Sequence, residues 1–166
     1  MTKFVVDAML GRVALWLRLT GNDTYYSPDA EDEKLLTLAQ EENRVLLTSD
    51  GDLHQRALKQ ELESRLLRGE VDDKVAEVFE TYDIKPRVDT STARCSKCNG
   101  SLRVLQGEEK REIKDKVYAQ TYDHYDVFWL CEDCGSVYFQ GGYWKNVVKY
   151  MERIDQLMNE EKRMMG

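Results

Sequence analysis

The sequence is poor in the residues on which several common chemistries depend. Its 166 residues include two prolines and two histidines, His54 and His124. Because a nucleophilic triad needs a histidine beside its serine or cysteine, so few histidines give such a site little support. Neither a G-x-G-x-x-G nor a G-x-x-x-x-G-K-[ST] pattern is present, which excludes the simplest nucleotide-binding loops.

Long apolar runs are also missing. The apolar runs span only a few residues, as at Val45-Leu46-Leu47, and residues 1–4 lack the apolar run of a signal peptide. We therefore expect a cytoplasmic protein with no membrane partner. Hydrophobic residues make up 42% of the chain and charged residues 33%, a balance typical of a packed domain rather than a disordered chain.

Negative charge is concentrated in the first half of the chain. Residues 1–90 carry 12 basic and 19 acidic side chains, whereas residues 91–166 carry 12 of each. An acidic protein attracts phosphate groups poorly as a whole. A nucleic-acid partner would therefore have to bind through local basic or aromatic patches, or through bound cations.

Apolar periodicity predicts an α/β fold in residues 1–90. A helix is expected to begin at Ser27-Pro28, since serine is a good N-cap and proline suits the first helical position. The β-α alternation predicts a parallel sheet sandwiched by helices on both faces. Strands are expected at residues 3–7, 24–26 and 44–48, with 65–67 as an optional fourth, and further helices at residues 10–19, 53–62 and 71–82.

The composition changes after a polar linker at residues 84–93. Strand-like segments follow, and from Tyr143 an apolar stripe predicts a long amphipathic helix. We expect three parts, which are an α/β domain at residues 1–90, a small β zinc ribbon at residues 91–145, and a C-terminal helix and tail at residues 146–166.

Two C-x-x-C pairs, Cys95 with Cys98 and Cys131 with Cys134, indicate a metal site. Each pair can direct two sulfurs at one ion, and together they complete a tetrahedron of thiolates, the ligand set of structural zinc. Four sulfurs leave no open position for water, so we expect a structural role. A redox dithiol and an iron centre of rubredoxin type are the alternatives.

Acidic residues follow the predicted strands. Asp7 follows the first strand, and Asp50 and Asp52 follow a later one, while Asp32 lies near the start of the second helix. The carboxyl ends of parallel strands meet at one edge of a sheet. These carboxylates should therefore converge, and they would repel one another unless a cation neutralised them.

The same helix start also offers Asp29 and Glu31, either of which could take the place of Asp32. Two divalent ions held by such carboxylates supply what phosphodiester hydrolysis needs, an activated water and neutralised charge. Receiver domains and haloacid-dehalogenase-like phosphatases also place acids at strand ends, but Ala8 and Met9 stand where these would have a second acid. Metal-dependent phosphodiester hydrolysis is therefore the favoured chemistry.

Segments along the chain resemble one family of nucleases. The first half contains F-V-V-D-A-M-L-G-R at residues 4–12, W-L-R at 16–18, P-D-A-E-D-E-K-L-L at 28–36 and R-V-L-L-T-S-D at 44–50. These segments are similar to the PIN-like nuclease domain of the Mut-seven C-terminal RNase family. Residues 94–102 and the aromatic segment at 128–144 resemble the zinc ribbon that this family appends.

The resemblance implies a metal-dependent ribonuclease with a PIN-like fold. Our first hypothesis is an endoribonuclease that hydrolyses RNA phosphodiester bonds. The resemblance also implies magnesium or manganese at Asp7, Asp32 and Asp50, with Asp52 as a candidate fourth acid. Thr48 resembles a hydroxyl residue beside the third acid, where it would hold a phosphate or orient a carboxylate.

Contacts with RNA are expected from basic and aromatic side chains. Arg12 and Arg18 fit phosphate contacts near the first acid, although arginines along a helix are also often only solvated. Tyr143 and Trp144, beside Lys145, are candidates for stacking on unpaired bases.

The chain departs from the family pattern at Ser49, where arginine is usual, and at Tyr143, where histidine is usual. These departures leave a second hypothesis open. The protein would then be a non-catalytic RNA-binding or ribosome-associated adaptor that keeps the fold and the ribbon around a degenerate site.

Overall fold

The computed structural model describes residues 1–165. Seven strands lie in this range, namely β1 (Phe4–Val6), β2 (Thr24–Tyr26), β3 (Val45–Thr48), β4 (Ser64–Leu66), β5 (Leu102–Gln106), β6 (Val127–Cys131) and β7 (Val137–Tyr138). The same range holds six α-helices, namely α1 (Gly11–Leu19), α2 (Asp32–Glu41), α3 (Gly51–Lys59), α4 (Val71–Thr81), α5 (Ala119–His124) and α6 (Gly142–Met165). The segments Ala8–Leu10 and Gly107–Lys116 are 3₁₀ helices.

Strands β1 to β4 form one parallel sheet in the order β2-β1-β3-β4. Successive side chains of a strand point to opposite faces. Val6 and Leu47 therefore pack with α1, α4 and α6 on one face, whereas Val5 and Leu46 pack with α2 and α3 on the other. The predicted α/β architecture, a parallel sheet sandwiched by helices, is confirmed.

Helix α2 begins later than the sequence predicts. The Ser27-Pro28 pair lies in a turn, where the Ser27 hydroxyl accepts a hydrogen bond from the Asp29 N–H at 3.3 Å. Because this serine caps the turn instead of a helix, the predicted helix start is wrong. Helix α2 starts at Asp32, with Glu31 as its N-cap.

Helix α6 packs on the α/β sheet rather than standing apart from it. Val147, Met151 and Ile154 belong to the same buried cluster as α1, α4 and one face of the sheet. The Trp16 and Tyr150 rings stack with a centroid distance of 4.1 Å. The sheet and α6 therefore share a core, and the predicted boundaries between the three parts stay a prediction. Among the helices described, none combines the length and the hydropathy needed to cross a bilayer.

The second half of the chain holds a small antiparallel sheet of order β5-β6-β7. The predicted β ribbon is thereby confirmed. The spacer between β5 and β6 forms the second 3₁₀ helix and α5, which the sequence patterns do not predict. Ile113 of this spacer packs in a separate buried cluster with Leu105 and Phe128. The spacer thus supplies apolar contacts that a ribbon of three short strands lacks.

The first cysteine turn lies against the edge strand β2. Asn99 accepts a hydrogen bond from the Thr24 N–H at 3.0 Å and donates one to Asp23 at 2.8 Å. Arg18 of α1 donates to the carbonyl groups of Thr24 and Ser96, both at 3.0 Å. Since Thr24 is the first residue of β2, the ribbon docks near the amino-terminal end of this strand.

Replacing Asn99 by glycine tests this docking. Asn99 has a φ of 72°, which glycine adopts without strain, so the substitution removes mainly the side-chain hydrogen bonds. Thr24 is fully buried, and its N–H would lose its acceptor. We expect Asn99→Gly to lower the free energy of unfolding, measured in urea, by about 1–3 kcal/mol.

Asn43→Gly is the matched control, because Asn43 has a φ of 54° and lies in an exposed turn. Substitution by glycine raises the conformational entropy of the unfolded chain by the same amount in both variants. A loss in Asn99→Gly no larger than that in Asn43→Gly would contradict the docking contact.

Candidate functional site

Two acids and one hydroxyl meet at the carboxyl edge of the parallel sheet. Val6 pairs with Leu47 in the register of β1 and β3, so the next residues, Asp7 and Thr48, lie side by side. The Thr48 hydroxyl donates to Asp7 Oδ2 at 2.8 Å and accepts from the Asp50 N–H at 2.9 Å. Asp7 is 8% exposed and Thr48 is fully buried. One buried hydroxyl therefore orients the Asp7 carboxylate and holds the backbone of Asp50.

Asp50 is the N-cap of helix α3. Its Oδ1 accepts hydrogen bonds from the N–H groups of Asp52 at 2.9 Å and Leu53 at 3.3 Å. The cap uses only this oxygen, which leaves Oδ2 available to a ligand. Asp52 is exposed in the first turn of the same helix.

The turn after Asp7 is held by the edge strand. The Tyr26 hydroxyl donates to the Ala8 carbonyl oxygen at 2.8 Å. The chain then passes so close that a Cβ atom on Gly11 would lie 2.8 Å from the Tyr26 hydroxyl oxygen. A larger residue at position 11 would therefore disturb the hydrogen bond that holds this turn in place.

Asp32 lies in the first turn of α2, within the range at which the charges of the other two acids act on it. Burial, followed by the charges of Asp7 and Asp50, raises its pKa. Arg56 of α3 lies 3.9 Å from Asp32 Oδ2 and is hydrogen-bonded to Glu33. Because the charges of Asp7 and Asp50 act on the Asp32 carboxyl, acids from the ends of β1 and β3 and from the start of α2 share one region of negative charge.

We call Asp7, Asp32 and Asp50 the acidic cluster. In the described part of the chain, neither Asp7 nor Asp50 has a lysine or arginine nitrogen within 4.0 Å. No three acidic side chains of that part bring their oxygens within 4.8 Å of one another, so the cluster is wider than the ligand set of one bound ion. Mutual repulsion between carboxylates favours such spacing. Oxygen donors without cationic partners are the ligands that hard divalent cations prefer.

The two arginines expected to contact phosphate lie in different surroundings. Arg12 is exposed in the first turn of α1, at the end of this helix that follows Asp7. Arg18 is only 5% exposed, and a buried guanidinium with backbone acceptors does not fit a contact with RNA. It instead joins α1, β2 and the ribbon by donating to three carbonyl groups, those of Thr24, Tyr26 and Ser96.

The predicted base-stacking residues lie at the other end of α1. Tyr143 and Trp144 line an apolar cavity of about 30 Å³ together with Leu19, the last residue of α1. Helix α1 has nine residues and is about 13 Å long, and Asp7 lies beyond its opposite end. Lys145 is exposed next to Trp144. Contacts of these residues with RNA stay a prediction, and they would lie apart from the acidic cluster.

Sequence reasoning missed one basic residue at the acidic edge, Arg68. This exposed side chain follows β4, and its Nη1 lies 3.5 Å from the Ser49 carbonyl oxygen. The Ser49 hydroxyl donates to the Leu67 carbonyl at 2.8 Å, which ties the ends of β3 and β4 together. The sequence contains a signal for this residue. Arg68 directly follows the strand-like run at residues 65–67, just as Asp7 and Asp50 follow predicted strands.

The four cysteines form a second candidate metal site. Their sulfurs all lie within 4.8 Å of one another, with Cys95 to Cys134 at 3.6 Å and Cys98 to Cys131 at 3.4 Å. Sulfurs bound to zinc at about 2.3 Å in a tetrahedron are about 3.8 Å apart, whereas a disulfide needs about 2.05 Å. The cysteine cluster therefore has the dimensions of a zinc site.

The fold and the two sites define an α/β protein with a parallel four-stranded sheet and an appended cysteine ribbon. A comparison with known families matches residues 2–151 to the Mut7-C RNAse domain, so the chain belongs to this family. No curated protein and no solved structure matches it. Membership of the family indicates a nuclease-type function, with RNA as the substrate that an RNase domain implies.

Proposed function

We propose that this protein is a metal-dependent endoribonuclease whose acidic cluster hydrolyses RNA phosphodiester bonds. The observation that carries the proposal is the Thr48 hydroxyl between Asp7 and Asp50. The charges that these two acids exert on Asp32 add the third member of the cluster. Magnesium or manganese held by the cluster would lower the pKa of a bound water and neutralise charge on the phosphate.

The protein's own side chains have separate tasks in this proposal. Asp7 offers a carboxylate whose orientation is fixed by a buried hydrogen bond from Thr48. Asp50 keeps Oδ1 on the first turn of α3 and offers Oδ2. Asp32 supplies a third carboxylate from the first turn of α2, and Asp52 is the candidate fourth acid. Since water is the attacking group, no protein nucleophile is required.

We also propose that zinc bound by the four cysteines has a structural role. Four sulfurs fill a tetrahedral site and leave no position for water or substrate. A ribbon closed by zinc would keep the Asn99 turn in shape against β2. Cysteines that bind a metal through thiolates are typical of reducing compartments, so we also propose a cytoplasmic location.

Substitution of Asp7 by asparagine tests the nuclease proposal. We expect wild-type protein to cleave labelled single-stranded and structured RNAs with manganese, and a chelator to stop the cleavage. Asp7→Asn keeps the size of the side chain but removes its negative charge, so we expect cleavage to fall at least about 100-fold.

The control is Asp83→Asn, an exposed substitution after helix α4 at a residue with a φ of 54°, a conformation that asparagine tolerates well. Cleavage by Asp7→Asn at the wild-type rate would mean a contaminant or another mechanism. RNA binding by the wild type without any cleavage would favour the non-catalytic adaptor.

Magnesium should stabilise the folded protein through the acidic cluster. The gain is about 2.7 kcal/mol when magnesium is at about 100 times its Kd. Because the pKa of Asp32 is raised, this carboxyl takes up a proton at a higher pH than an ordinary aspartate does. A proton competes with the cation, so the gain is full at neutral pH and is lost as the pH falls through the raised pKa of Asp32.

Thermal unfolding with and without magnesium across this pH range measures the effect. Asp32→Asn should reduce the gain, whereas Asp29→Asn, an exposed substitution in the turn before α2, should retain it. The reverse pattern would assign the third acid to Asp29 and contradict the acidic cluster as described.

A further inference from the structure

Arg68 lies over the chain segment that contains the third acid. Its Nη1 is 3.5 Å from the Ser49 carbonyl oxygen, and its Nη2 is 3.9 Å from the point where a Cβ atom on Gly51 would lie. Asp50 stands between these two residues in the sequence. The guanidinium therefore lies next to the acidic cluster, on the β4 side of the sheet.

The backbone around Arg68 is held firmly. The Leu67 N–H donates to the Thr48 carbonyl at 2.8 Å, and the Ser49 hydroxyl donates to the Leu67 carbonyl at 2.8 Å. Leu67 itself is fully buried. Because both backbone groups of Leu67 are hydrogen-bonded, the backbone from which the exposed Arg68 side chain extends is well ordered.

Arg68 differs from two other arginines, Arg56 and Arg65, in its charge partners. In the described residues, no carboxylate oxygen lies within 4.0 Å of its guanidinium, whereas Arg56 pairs with Asp32 and Glu33, and Arg65 pairs with Glu77. The first turn of α3, beside which Arg68 lies, carries partial positive charge of its own. Since it forms no ion pair among the described residues, this guanidinium can bind an incoming anion.

We propose that Arg68 binds a phosphate of the RNA strand beside Asp50 and holds that strand against the acidic cluster. The inference rests on the proposed nuclease function and adds a substrate-binding residue to it. A guanidinium suits this task because its N–H groups form a planar fork that matches two phosphate oxygens. Its place beside Asp50 also supplies positive charge in a region that would otherwise repel the phosphate backbone.

Arg68→Gln and Arg68→Lys test the proposal against wild-type protein. Loss of one charged phosphate contact should raise the KM for RNA about tenfold and change kcat by less than about twofold. The lysine variant keeps a point charge and should recover part of the loss. The slope of log Kd against the logarithm of the salt concentration should become shallower in Arg68→Gln by about one unit, because one phosphate contact is lost.

Arg87→Gln is the matched control, since Arg87 is exposed, lies in the linker and loses the same charge. Stabilisation by magnesium should be unchanged in all three variants, because Arg68 is not a ligand of the cation. A KM and a salt dependence in Arg68→Gln equal to those of Arg87→Gln would overturn the proposal. A loss confined to kcat would also overturn it, because a strand-binding contact acts on KM.

A second measurement separates this inference from the proposed function. Binding of a fluorescently labelled single-stranded RNA is measured with calcium in place of manganese, so that cleavage is not needed. If the wild type never cleaves RNA, the nuclease proposal fails on its own. Weaker RNA binding by Arg68→Gln than by Arg87→Gln would still support the Arg68 contact, and equal binding would overturn it.

Discussion

The hydrogen bond from Thr48 to Asp7 depends on the register between β1 and β3, and the acidic cluster depends on that bond. Both partners are buried, so neither has water as an easy substitute. The same hydroxyl accepts from the Asp50 N–H, which sets the start of helix α3. A shift of one residue between the two strands would turn Thr48 to the other face and separate the acids.

The two candidate metal sites lie toward opposite ends of the short sheet. The acidic cluster follows the carboxyl ends of β1 and β3, whereas the Asn99 turn of the ribbon contacts Thr24 at the beginning of β2. Arg18, in the last turn of helix α1, joins this helix to carbonyl groups of β2 and the ribbon. The ribbon is thus placed to support the edge of the sheet, and the RNA contacts predicted for Tyr143 and Trp144 would lie at a distance from the acids.

Much of the fold and part of the site could be predicted from the sequence because the relevant rules are local. Apolar runs that end in Asp7 and Asp50 indicate parallel strands whose ends meet, and C-x-x-C spacing indicates paired sulfur ligands. The burial of Arg18 could not be predicted, since its acceptor at Ser96 lies 78 residues away. The start of α2 was missed because a serine can cap a turn as well as a helix.

The most direct test of the acidic cluster is a crystal structure of the protein grown with manganese, with anomalous scattering used to locate the ions. We expect manganese within about 2.5 Å of carboxylate oxygens from both Asp7 and Asp50, with the Thr48 hydrogen bond to Asp7 retained. Manganese bound elsewhere, with Asp7 and Asp50 free or paired with lysine or arginine, would contradict it.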